Sequence, residues 1–128
     1  MHAVTPLYAG LSGLFFLVLS ARVIQARGRA QVSLGTGEDP ALQRAVRVHG
    51  NFAEYVPLTL LLMLAVEVMG ITHWILHLAG TGMLLGRVAH AVSIGRAAHD
   101  LRLRVAGVVL TFASIAVLSL AAIAFSLL

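Results

Sequence analysis

Long apolar runs and short polar interruptions alternate four times along this chain. Residues 3–21 and residues 105–128 carry no charge, and two further apolar runs lie at 55–66 and 74–86. A helix that crosses a bilayer needs about 20 mostly apolar residues. The pattern therefore predicts an all-α, integral membrane four-helix bundle. It forms a single four-span membrane domain over residues 1–128, with helices at about 6–27, 40–69, 73–95 and 103–127. The polar stretch after the first run is rich in glycine and ends in Asp39-Pro40, a capping residue followed by a first-turn proline. The helix it opens would be about 45 Å long at 1.5 Å per residue, against a hydrocarbon core of roughly 30 Å. Its first turns should project beyond the lipid.

Composition agrees with that class. The chain is 59% hydrophobic and only 11% charged, where soluble domains carry about 25% charged residues. The first run has no basic segment before it and is long enough to span, so it is read as a retained helix and not as a cleaved signal peptide. Without cysteine there is no disulfide framework, and any thiol chemistry must use a thiol brought by a substrate.

The nine basic residues are all arginines, and their placement is lopsided. Arg22, Arg27, Arg29, Arg44 and Arg47 surround the first connection. Arg87, Arg96, Arg102 and Arg104 surround the third. The start of the chain, the turn at 70–73 and the end of the chain have none. By the positive-inside rule both arginine-rich ends are cytoplasmic and both termini lie outside. The basic balance then reflects topology, and no nucleic-acid partner is implied.

The stretch RVHGNFAEYVP, from Arg47 to Pro57, puts charge at the mouth of an apolar run. At 100° per residue Arg47, Asn51 and Glu54 fall within an arc of about 60°, with Arg44 at its edge and His49 nearly opposite. Pro57 removes a backbone hydrogen bond just beyond. Charges at depth cost about 2.5–3.5 kcal/mol each on insertion scales, so the Arg–Asn–Glu row should look inward. Spacing alone leaves two readings open: a structural hydrogen-bond network between helices, or the floor of a binding site. The third helix adds GRVAH, with Arg87 and His90 on one face, after the small-residue pair Gly82 and Gly86, which permits close approach of another helix. Arg104 opens the fourth helix at the same level. Such an excess of cation around one carboxylate asks for an anionic guest.

These motifs resemble those of the membrane-associated proteins in eicosanoid and glutathione metabolism, the MAPEG family. RVHGNFAEYVP in the second helix, GRVAH in the third and RVAG at the start of the fourth occur in the family's order, and the four-span length matches over essentially the whole chain. The bacterial branch of microsomal-glutathione-transferase-like proteins is nearest. The resemblance implies a homotrimer in a bacterial inner membrane, with glutathione as cosubstrate bound between subunits near the cytoplasmic face and no metal. It implies that Arg47, Asn51, Glu54 and His90 contact glutathione and that Arg104 stabilises the thiolate as the catalytic group. Arg27 would reach the ligand from the adjacent subunit, and Arg87 would be structural. The second substrate would be a lipophilic electrophile or lipid hydroperoxide arriving among the membrane lipids. The chemistry fits independently: glutathione offers two carboxylates to arginines, an ammonium to Glu54, and a thiol whose ionisation a nearby cation favours.

This chain departs from the family's pattern in two places. Some members carry a tyrosine one turn past the fourth-helix arginine, where Val108 stands here, and another one turn past the third-helix histidine, where Ile94 stands. Thiolate activation would rest on Arg104 alone. An idle member that binds glutathione or lipid without turnover is thus a second reading. A small proton-coupled multidrug-type transporter using Glu54 is a third, disfavoured by the surrounding arginines. His73 and His77 stand four apart, a metal-capable spacing with no third ligand nearby, and with Trp74 they read as an interfacial belt. Glu67 reads as solvated or capped at the outer end of the second helix, His99 and Asp100 as loop residues, and the first-helix phenylalanines as lipid-facing or packing. If the arginines orient the chain, cysteines introduced at Thr36 and Leu128 will react with a membrane-impermeant maleimide from opposite sides. Labelling of both from one side would refute the four-span topology.

Overall fold

A computed structural model describes residues 3–96 and 100–127; His99 and Leu128, named above for loop position and topology, lie outside the described residues. Four α-helices follow one another: α1 (Thr5–Ala30), α2 (Pro40–Val68), α3 (His73–Gly95) and α4 (Leu101–Ser126). All four are long and apolar enough to cross a membrane. At 29 residues, α2 is about 44 Å long and is the longest of them.

Helix ends follow local chemistry, and three carboxylates are used to make them. Asp39 accepts a hydrogen bond from the Leu42 amide at 2.6 Å, the cap that Asp39-Pro40 predicted. Asp100, expected in a loop, accepts from the Leu103 amide at 3.1 Å and starts α4 two residues earlier than the apolar pattern indicated. Glu67 accepts from the Val4 and Thr5 amides, the latter at 3.0 Å. It therefore caps α1 from the far end of α2, where an N-terminal dipole favours a carboxylate. At its other end α1 runs three residues beyond the expected Arg27 and stops where Gln31 turns left-handed, at φ 53°.

The core runs between α1, α2 and α3, through Leu19, Phe52, Met63, Leu76 and Met83. Phe15 and Phe16 of α1 pack on Phe52, with ring centroids 5.3 and 6.0 Å apart. At the end away from the arginines, the Tyr8 hydroxyl meets Thr81 Oγ1 at 2.9 Å and His77 Nδ1 at 3.1 Å. His77 is thereby tied to α1, while Trp74 stays exposed, as an interfacial residue would. Among the described residues α1 and α4 do not touch, and α3 and α4 are the most extensively packed pair.

That last packing depends on glycine. A Cβ on Gly107 would lie 2.6 Å from the Gly86 carbonyl oxygen and 2.9 Å from the His90 nitrogen. A Cβ on Gly86 would lie 2.7 Å from the Gly107 oxygen, and one on Gly82 would lie 2.8 Å from Ser114 Oγ. The small-residue pair of α3 thus receives α4 backbone to backbone. Gly107→Ala is expected to cost about 1–3 kcal/mol through forced separation of the helices. Gly10→Ala, where a Cβ meets nothing within 4 Å, should be neutral or gain up to about 1 kcal/mol. Thermal unfolding of both variants in the same detergent checks the contrast.

Candidate functional site

The Gly86–Gly107 crossing determines what lies around it. Arg87 and His90 follow Gly86 by one residue and by about one turn, and Arg104 precedes Gly107 by about one turn. Both α3 side chains are buried, Arg87 at 3% and His90 at 4% exposure. Gly107 lies directly against the His90 backbone, so the crossing sets Arg104 one turn from the start of the α3–α4 contact at His90. Arg44, Arg47 and Arg104 line one opening of about 360 Å³, together with Pro40, Gln43 and Ile94.

Arg87 is held differently from the others. Its Nε donates to Thr111 Oγ1 at 2.9 Å, and its Nη2 donates to the Gly107 carbonyl at 3.4 Å. Its guanidinium lies 5.1 Å from the centre of the Tyr55 ring, a cation–π arrangement. Tyr55 in turn packs on Phe112 at 5.6 Å. The remaining nitrogen, Nη1, is buried and has no partner among the described residues. Tyr55 and Thr111 were not singled out in the sequence. The only signal for Tyr55 was an aromatic next to Glu54, and for Thr111 a hydroxyl one turn after Gly107.

The α2 row is only partly enclosed by its own chain. Asn51 is buried, and its amide donates to the Arg47 carbonyl at 2.8 Å. Arg47 and Glu54 are exposed. The expectation that the whole row looks inward is therefore met within one chain only at Asn51. The buried stripe of α2 runs instead through Val48, Phe52, Val56, Thr59 and Met63. That stripe leaves Arg47 and Glu54 on a flank. His49, on the opposite side as its angle required, meets Ser20 Oγ at 3.1 Å and lies against Phe16 of α1. Arg27 sits elsewhere in the chain: it donates to the Gly35 carbonyl at 2.6 Å and lines a separate opening with Gln31, Val32 and Ser33.

Electrostatically the arginine-bearing end is unbalanced. All nine arginines lie towards that end with four of the five carboxylates, Glu67 being at the other end, and of the four Asp39 and Asp100 are bonded to backbone amides. Glu38, in the loop, and Glu54 are outside those caps. An arrangement of this kind can bind an anion, and Glu54, exposed about two turns further along α2 than Arg47, is a free carboxylate on the same helix. Thr111→Val should destabilise the protein by about 1–3 kcal/mol, because Arg87 Nε loses its acceptor in a buried setting. Unfolding midpoints in detergent measure this, and Thr111→Ser should restore most of the loss.

The model of the MAPEG family matches residues 5–124. Two relatives, both described as "Inner membrane protein YecN", come from Escherichia coli K12 and from an Escherichia coli O6:H1 strain. Each is 40% identical over 87 residues, a stretch covering 68% of this chain and 66% of the relative, just under two thirds of its length.

Proposed function

The chain belongs to the MAPEG family, and from that premise we propose that it binds glutathione at the arginine-bearing end and uses it as a cosubstrate. The observation that carries this reading is the convergence of Arg47 and Arg104 on one opening, with His90 buried at the α3–α4 crossing one turn from Arg104 and Glu54 left out of the capping bonds. Arg47 suits a carboxylate of the tripeptide, and Glu54 suits its ammonium. Asn51 and His90 offer further hydrogen-bonding groups. The family resemblance assigns Arg104 to the sulfur, where its charge would favour the thiolate.

In the transferase reaction the thiolate sulfur attacks an electrophilic carbon of a lipophilic substrate, and the leaving group departs with its electron pair. With a lipid hydroperoxide the thiolate instead attacks the terminal oxygen of the O–O bond. An alcohol leaves after protonation, and a second glutathione converts the resulting sulfenic acid to disulfide and water. Both acceptors are membrane-soluble, which suits a site at the mouth of four spans. The proposed setting is a bacterial inner membrane, with the arginine-bearing end cytoplasmic.

Exposure of Arg47 and Glu54 on the flank of α2 supports a homotrimer with the site closed between neighbouring subunits, since charge at membrane depth needs cover. Arg27, remote from the opening in its own chain, would then belong to the neighbour's site. A stable monomer in mild detergent that still binds glutathione would overturn this assembly.

Two substitutions separate binding from chemistry. Glu54→Gln should weaken glutathione binding by about 1–3 kcal/mol through loss of a charge-assisted bond. Arg104→Leu should leave binding largely intact but return the bound thiol towards its free pKa of about 8.5. The thiolate absorbance near neutral pH and conjugation of an aryl halide should disappear together. Thiolate formation without turnover in the unmodified protein would indicate an idle glutathione-binding member, as the valine at 108 allows. Unchanged thiolate formation in Arg104→Leu would remove Arg104 from the mechanism.

A further inference from the structure

A second basic recess lies on the other side of α2, between α1, α2 and α3. Its volume is about 120 Å³; Arg22 and Arg44 stand on it, and Leu19, Val48, Ala91 and Gly95 contribute to its floor and walls. Leu19, Val48 and Ala91 are buried core residues, so the recess is apolar below and cationic above. Small side chains make the space: a Cβ on Gly95 would meet nothing within 4 Å. The Ser20–His49 hydrogen bond joins α1 to α2 beside Leu19 and Val48, which fixes two of the walls before anything binds. Asp39, the nearest carboxylate in sequence to Ala41 and Arg44, is committed to the Leu42 amide. The space is larger than a single water needs.

We propose that this recess holds the phosphate of an anionic phospholipid, with Arg22 and Arg44 as its two cationic contacts. Arg22 stands at the end of the uncharged part of α1, and Arg44 one turn into α2. Arg22 is the first charge after that run and so marks the level where the span meets water, and Arg44 shares its recess from the projecting start of α2. A ligand that satisfies two guanidiniums there while resting on Leu19 and Val48 has an anionic head and an apolar body. A free anion satisfies only the first half. The site is distinct from the opening lined by Arg47 and Arg104: Arg22 and Gly95 contribute nothing to that opening, and Arg44 lies between the two.

Delipidated protein in mild detergent, titrated with phosphatidylglycerol, phosphatidylcholine or inorganic phosphate and read by native mass spectrometry and thermal unfolding, tests the proposal. Phosphatidylglycerol should bind and protect in preference to phosphatidylcholine, and inorganic phosphate should give no comparable protection. Arg22→Gln should weaken phosphatidylglycerol about five-fold, the factor expected for one basic residue at a lipid surface. Gly95→Leu, which fills the recess without a backbone clash, should abolish the preference while glutathione binding is retained in both variants. Equal binding of the two lipids, or a preference unchanged in both variants, would overturn the site. Protection by inorganic phosphate equal to that by phosphatidylglycerol would replace the lipid with a soluble anion.

Discussion

The close crossing of α3 and α4 at Gly86 and Gly107 is the contact on which the arrangement of the arginine-bearing end depends. With no side chain on either glycine, backbone oxygens approach to distances that a Cβ would forbid. That approach lets Arg87 reach the Gly107 carbonyl and the Thr111 hydroxyl. It also sets Gly107, one turn after Arg104, against the backbone of His90 on the neighbouring helix. Between membrane helices the hydrophobic effect contributes little, because lipid is as apolar as the side chains it would displace. Backbone proximity and buried polar bonds carry the association instead, and here both occur at one crossing.

The allocation of negative charge follows a similar economy. Three of the five carboxylates serve helix N-termini, two through their own helix and one through another. A carboxylate at a helix N-terminus satisfies free amides and complements the helix dipole, so this use of acid stabilises the spans. It also leaves the guanidiniums around α2 unneutralised. The same distribution that secures the scaffold therefore produces the anion-seeking surface on which both proposed sites rest.

How much of this was legible in the sequence depended on separation along the chain. Four spans could be read because apolar runs are local and long. The cap at Asp39 was legible because its amide partner is three residues away, whereas Glu67 was not, its partners lying 63 and 62 residues earlier. Asp100 was passed over because α4 begins before its apolar run does. Periodicity placed Arg47, Asn51 and Glu54 on one face, but a 100° rotation cannot say whether the same chain covers that face. In the structure it covers Asn51 and leaves the other two exposed. Gly82 and Gly86 announced a close approach without naming its partner, and Tyr55 passed as one more residue of a hydrophobic run.

The cross-helix cap at Glu67 has a consequence for biogenesis. The amide end of α1 finds its carboxylate only on the last turn of α2. Until α2 is in place those amides have only water or lipid headgroups to meet, so the cap forms only when the first hairpin is complete. Its closure exchanges those partners for a carboxylate and ties the two spans together at that end.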